Sequence, residues 1–263
     1  MRVFLYRVAV AAIIAAMLVC AYQLYSIQRK YDLEASVHDR LLEYKPPTPD
    51  ELAGLRKDGG SLEGDASTDS MAALSNSAII EAREKINPDI VGWITIPETN
   101  IDYPFVQGAD NEFYLTHDTE KKKSAAGSIF IDIRNDEPFK GFNTILYGHH
   151  MKNGSMFGAL ANYAESAFFR NNSKGLIYLE EEVYEMLIFA CLVIHPDDGM
   201  IYNSLNLDSK SKTEYLDYVK RNAKNYQDAA LEPSDKIITL STCAYDFNDA
   251  RMAVLAKIQK LSI

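Results

Sequence analysis

The apolar positions of this chain change period along its length. Val8 to Leu24 reads VAVAAIIAAMLVCAYQL, a run without charge, at the short end of what crosses a bilayer as a helix. Arg2 and Arg7 precede it, and Arg29 and Lys30 follow, so flanking charge does not decide orientation. A cleaved signal peptide is the rival reading, but Val19-Cys20-Ala21 is a poor small-x-small site. Val19 also stands where a lipoprotein signal needs a small residue. The pattern therefore predicts an uncleaved N-terminal anchor, with the rest of the chain exported. From 28 to 45, Leu33, Val37, Leu41 and Tyr44 recur on one helical face, until Pro46, Pro47 and Pro49 end it. Residues 50–70 are rich in Gly, Asp and Ser and read as a flexible linker. The expected organisation is thus 1–27 tip and anchor, 28–70 stalk and linker, and 71–263 a compact domain.

In that domain a helix is predicted over 75–87, stopped by Pro88. The pattern then becomes short segments rich in β-branched and aromatic residues: 90–97, 101–107, 127–133, 142–150, 173–182, 183–195, 235–243 and 251–261. Eight strands at hairpin-like spacing predict a mainly β fold, a closed barrel or a sandwich. Helices are expected over 156–169 and 211–225. No internal repeat is visible.

Composition narrows the function. The chain has 263 residues with 37 acidic and 27 basic side chains, for a formal net charge of −10. That argues against a nucleic-acid partner, which needs a basic face. Cys20, Cys191 and Cys243 are too few for a disulfide framework and too widely spaced for zinc. Cys191 in LIFACLVI reads as a buried core thiol.

Three places can carry chemistry. TLSTC (239–243) ends a strand and fixes Cys243 where strand gives way to loop. Taken alone, Cys243 also reads as a small core residue. YGHHM (147–151) puts His149 and His150 at another strand end, and histidine is the usual partner that activates a thiol. Equally, these are two loop histidines. A metal pair would need a third ligand, and spacing places none of His117, His195 or Cys243 beside them. If 235–243 and 251–261 form a hairpin, Arg251 faces Cys243 across its mouth, where a guanidinium can hold an oxyanion. The alternative is an ion pair with Asp246 or Asp249. Together the three make a nucleophile, an acid/base and an electrophilic clamp.

TLSTC with an arginine eight positions on, and YGHH upstream, resembles the sortases of Gram-positive bacteria. YGHHMKNGSMFGAL (147–160), DNEFYLTH (110–117), AAGSIFIDIRN (125–135) and the helix at 211–225 resemble class B in particular. The resemblance spans about residues 75–263. It implies a membrane-anchored cysteine transpeptidase built on a closed eight-stranded β-barrel with peripheral helices. By motif position Cys243 is the nucleophile, His149 the catalytic histidine and Arg251 the arginine, while His150 is not catalytic. The same matching gives a substrate groove from Asn111, Leu115, Ser241 and Thr242, with the 196–210 loop, including Ile201 and Tyr202, as one wall. Ala244 stands where some members carry an acidic residue.

The implied reaction is cleavage of a sorting signal at a Thr-Gly-like bond, an acyl-enzyme, and transfer to an amine of peptidoglycan or its lipid-linked precursor. No metal or other cofactor is implied, and the acidic run 180–182 reads as a turn rather than a calcium site. The partners are secreted proteins bearing the signal, and the membrane through the N-terminal helix. The amino terminus is expected in the cytoplasm and the catalytic domain on the outer face. A pilin-polymerising sortase, a hydrolytic cysteine peptidase and an inactive membrane-anchored binding module are the alternatives.

Overall fold

The structure is a computed structural model that describes residues 1–48, 69–232, 234–243 and 250–261. The expected linker lies, except for its last two residues, outside the described residues. The chain divides into two units, Met1–Arg40 and Leu41–Ile263.

The first unit is one helix, α1, whose span Arg2–Leu41 runs to the first residue of the second unit. The anchor and the stalk are therefore continuous. No Gly or Pro interrupts residues 2–41, so nothing breaks the backbone ladder where the surface pattern changes from apolar to charged. Its apolar part is long enough to cross a membrane.

The second unit begins with a 3-10 turn, Leu42–Tyr44. Lys45 then donates to Asp102 at 2.6 Å, and Asp102 also accepts from Trp93 Nε1 (2.7 Å) and Thr95 Oγ1 (2.8 Å). α2 (Asp69–Lys85) buries Ile79 and Ala82 and stops just before Pro88, as expected. Among the described residues nine strands follow: β1 Ile90–Thr95, β2 Asp102–Val106, β3 Ile129–Ile131, β4 Asn143–His149, β5 Lys174–Leu179, β6 Val183–Ile194, β7 Asn225–Tyr226, β8 Lys236–Cys243 and β9 Arg251–Lys260.

The strand order is β5-β1-β2-β3-β4-β8-β9-β6, and β6 pairs back onto β5. This closes an eight-stranded barrel from the eight predicted segments. β7 hangs on β6 outside the ring; two residues carry no period to detect. Instead of one helix over 156–169 there is a 3-10 stretch, Gly158–Ala164, and then α3 (Ser166–Asn171). The last predicted helix is α5 (Ser209–Asn222), preceded by a short α4 (Gly199–Tyr202).

Pairing is antiparallel except at β2–β3 and β4–β8. Side chains alternate between two buried faces. Leu146, Ile177, Met186, Ile188, Leu240 and Val254 fill the interior, and Phe157, Leu160 and Tyr163 of the 3-10 region join them. Ile145, Phe189, Leu192 and Leu255 face outward under Tyr215 and Val219 of α5. Burial on both faces explains why segments such as RMAVLAKI read as apolar runs rather than strict alternation.

Ile177 is fully buried where β1, β5 and β6 close the barrel. Ile177→Ala is expected to cost about 3 kcal/mol through lost burial and the cavity left behind, lowering Tm by about 5–10 °C in thermal denaturation. Val193→Thr, at a 52%-exposed position near the end of β6, should stay within about 0.5 kcal/mol of wild type.

Candidate active site

The parallel β4–β8 pair brings two strand ends to one rim. Its register runs from Asn143↔Ile237 to His149↔Cys243. β8 and β9 are antiparallel, with Cys243↔Arg251 in register. His149, Cys243 and Arg251 thus occupy one row on one face, with strands about 4.8 Å apart. This is the hairpin mouth expected for Cys243 and Arg251, with the histidine supplied from the other side. His149 and Arg251 continue the outward lines of Ile145, Tyr147, Ala253 and Leu255.

His149 is half-buried, and its Nε2 lies 2.6 Å from the Leu115 carbonyl. A carbonyl only accepts, so Nε2 carries the hydrogen and Nδ1 of the neutral ring is the proton acceptor. Leu115 ends a 3-10 turn, Phe113–Leu115. The turn opens on Asp110, whose carboxylate accepts the N–H groups of Glu112 and Phe113, both at 2.8 Å. These donors hold Asp110 below the usual carboxylate range. From below, buried Tyr114 donates to Asp89 (2.6 Å) and accepts from Asn87 (2.8 Å).

Two glycines let the backbone pass. Gly127 has φ +61°, and a Cβ there would sit 2.9 Å from the Leu115 carbonyl and 3.1 Å from His149 Cδ2. Gly148 of YGHH faces the interior, where a Cβ would meet Ile129 at 2.5 Å and the Phe157 ring at 2.8 Å.

Arg251 is half-buried, and its guanidinium lies 5.8 Å from the centre of the Tyr202 ring, within cation–π range. The Tyr202 hydroxyl is 2.8 Å from Ser241 Oγ. Tyr147 stands two residues before His149, on the same face, and its ring is 6.2 Å from that of Tyr202. It donates to Asp132 at 2.9 Å.

Asp132 is fully buried. Arg134 Nη2 (2.6 Å), Arg134 Nε (3.0 Å) and the Arg134 N–H (2.9 Å) all reach it, as does the Asn111 amide (3.3 Å). Burial pushes its carboxyl up, but these donors and Tyr147 outweigh burial and hold it below the ordinary value.

Of the expected groove residues, Asn111 and Leu115 are half-buried, and Asn111 is also engaged through Oδ1 with the Ile133 N–H (2.8 Å). Ser241 and Tyr202 are buried and joined through their hydroxyls. Thr242 is 1% exposed and falls on the opposite, interior face, because strand neighbours alternate. Ile201 is completely enclosed in the outer core. Ala244, Asp246 and Asp249 lie outside the described residues. Nothing in the local sequence pattern singles out Asp132, Arg134 or Tyr147. Tyr147 is reachable only from the two-residue strand period counted back from His149.

The remaining histidines and cysteines sit elsewhere. His150 bridges to Met156, His117 stacks on Phe113 at 4.1 Å, and His195 pairs with Asp197. Among the described residues no three His, Cys, Asp or Glu side chains gather as metal ligands. Cys191 is buried, and burial pushes its thiol up to about 12, which keeps it protonated and unreactive.

The Sortase domain profile matches residues 94–259. The chain belongs to the sortase family. It is 38% identical over 177 residues to sortase B of Listeria monocytogenes, covering 66% of this chain and 72% of that one. Among solved structures, a Staphylococcus aureus sortase B–substrate complex is 35% identical, with a TM-score of 0.66 over 71% of this chain and 87% of the other. A mutant form of Clostridium perfringens sortase B is 30% identical, with a TM-score of 0.71 over 84% and 96%. This sortase is therefore of class B, with the barrel of that class, and is a cysteine transpeptidase.

Two outcomes follow from the site's construction. Gly127→Ala forces strain at φ +61° and pushes on the Leu115 carbonyl; kcat of the sortase should fall at least about tenfold, read in a steady-state peptide assay. The lowered Asp132 pKa stabilises the fold above the unfolded value near pH 4, about 3.9, and that contribution is lost as pH falls through the folded value. Asp132→Asn should therefore cost about 1.5–3 kcal/mol at pH 7. Its urea-unfolding free energy should converge on wild type below about pH 4.

Proposed function

We propose that this sortase attaches secreted proteins to the bacterial cell wall. It cleaves their sorting signal at a Thr-Gly-like bond and passes the new C-terminus to an amine of peptidoglycan or its lipid-linked precursor. The observation that carries the reading is the row His149–Cys243–Arg251, which sets an acid/base and a cation on either side of one cysteine.

The steps follow from that order. His149 Nδ1 takes the Cys243 thiol proton, and the thiolate attacks the threonine carbonyl. The carbonyl oxygen gains charge beside the Arg251 guanidinium, which stabilises it. The C–N bond breaks as His149 returns the proton to the leaving amine, and a thioester to Cys243 remains. The acceptor amine attacks the thioester and gives its proton to His149. The new amide leaves, and the proton returns to the cysteine sulfur. Asn111, Leu115, Ser241 and Tyr202 line the signal's path, while Ile201 and Thr242 support them from behind.

In this reading Val8–Leu24 lies in the membrane, the amino terminus is cytoplasmic and the catalytic unit stands outside. Residues 28–70 then separate the anchor 1–27 from the catalytic region 71–263 and give it reach to substrates arriving by secretion.

The full-length protein in detergent would be given donor–quencher peptides with a central Thr-Gly bond, with and without triglycine as a small peptide amine. Mass spectrometry should show the triglycine-capped product and an acyl adduct on Cys243. Cys243→Ala should abolish both. His149→Ala should lower turnover at least about a thousandfold, and Arg251→Ala about 10²–10³-fold. Hydrolysis that triglycine never intercepts would instead make the chain a peptidase, and full activity in Cys243→Ala would remove the reading altogether.

A further inference from the structure

Both flanks of the catalytic row trace back to one side-chain pair outside it, at the end of β3. Arg134 spreads its guanidinium over three partners. Nε and Nη2 hold Asp132, Nη2 also donates to the Tyr202 carbonyl at 2.9 Å, and Nη1 donates to Asn203 Oδ1 at 3.1 Å. The Tyr202 carbonyl ends α4, a helix of one turn. Asp198 caps its start, accepting from Met200 (3.0 Å) and Ile201 (3.1 Å), and accepts from Tyr218 of α5 at 2.6 Å. The far end is tied to the barrel through Arg134. A single turn has almost no stability of its own, so these contacts set where the Tyr202 ring stands. Among the described residues, the Arg251 guanidinium lies over that ring, 5.8 Å from its centre.

The other flank starts from the same carboxylate. Asp132 accepts from Asn111, and Asn111 accepts from the Ile133 N–H. That anchors the segment whose Leu115 carbonyl receives His149.

We propose that Arg134 is a positioning residue of the reaction: held by Asp132, it sets Arg251 against the reacting carbonyl through Tyr202. The proposal rests on the roles given to His149 and Arg251 above. Neither Arg134 nor Asp132 enters the chemistry. Arg134 acts because a forked guanidinium can reach a carboxylate, a carbonyl and an amide oxygen together, which a single ammonium cannot. Misplacing a transition-state contact by about 1 Å is enough to cost on the order of 10² in rate.

The test compares Arg134→Lys, Arg134→Gln, Tyr202→Leu and the Arg134→Lys/Tyr202→Leu double variant with wild type. It uses the Thr-Gly peptide that wild type cleaves fastest, with triglycine as acceptor, and thermal denaturation alongside. Arg134→Lys keeps the Asp132 pair and should melt near wild type. Its kcat should nevertheless fall about 10–100-fold, with KM within about threefold. If Arg134→Gln does not fold, Arg134→Lys carries the comparison. Because Arg134 acts through Tyr202, adding Arg134→Lys to Tyr202→Leu should cause no further loss.

A folded Arg134→Lys with kcat within about twofold of wild type overturns the proposal. So does a double variant whose losses multiply. Arg251→Ala separates this from the underlying reading. If Arg251→Ala is inactive while Arg134→Lys is fully active, only the positioning proposal fails. If Arg251→Ala is itself fully active, the role assigned to Arg251 fails first.

Discussion

Everything at the rim depends on β4 and β8 running parallel and in register. Had the pair been antiparallel, the ends carrying His149 and Cys243 would sit at opposite ends of the barrel, about 20 Å apart for strands of this length. Had the register slipped by one residue, one of the two would face the interior. The pairing is enforced from both faces. Leu146 and Leu240 are buried inside the barrel, and Ile145 and Leu255 are buried outside it beneath α5. A slip would place polar positions in both layers at once. The chemistry is therefore located by hydrophobic packing well below it.

The rim itself is organised by polar contacts. A carboxylate taken out of water is costly unless its lone pairs are filled by good donors. Asp132 meets that condition with an arginine, a tyrosine, an amide and a backbone N–H. The consequence is order: the segments carrying Asn111, Arg134 and Tyr147 converge on a single buried charge. Such a fully satisfied network holds its members in one arrangement.

The glycines complete the same logic. Gly148 and Gly127 lie on either side of His149, one in the strand and one in the crossing segment. Each allows an approach that any Cβ would block. Gly127 thereby leaves room for the His149 ring beside the Leu115 carbonyl it meets, while Gly148 makes room for Ile129 and Phe157 inside.

Much of this protein could be read along the chain. The apolar run at 8–24, the eight barrel segments and the ends of α2 and α5 are local patterns of period, proline and glycine, and local physics makes them visible. The same holds for Cys243, His149 and Arg251, because strand ends bearing a thiol, an imidazole and a guanidinium stand out as residue types in context. Their order across the sheet was legible only for the hairpin pair, since only seven residues separate Cys243 from Arg251 along the chain. What stayed hidden depends on contacts far apart in sequence. Asp132 looks like a surface charge until Arg134, Asn111 and Tyr147 close around it. Along the chain Thr242 and Ile201 carry no sign of their depth until the barrel assigns one to its interior and the other to its outer core. Side-chain burial and long-range pairing are properties of the closed barrel, and no window of the sequence contains them.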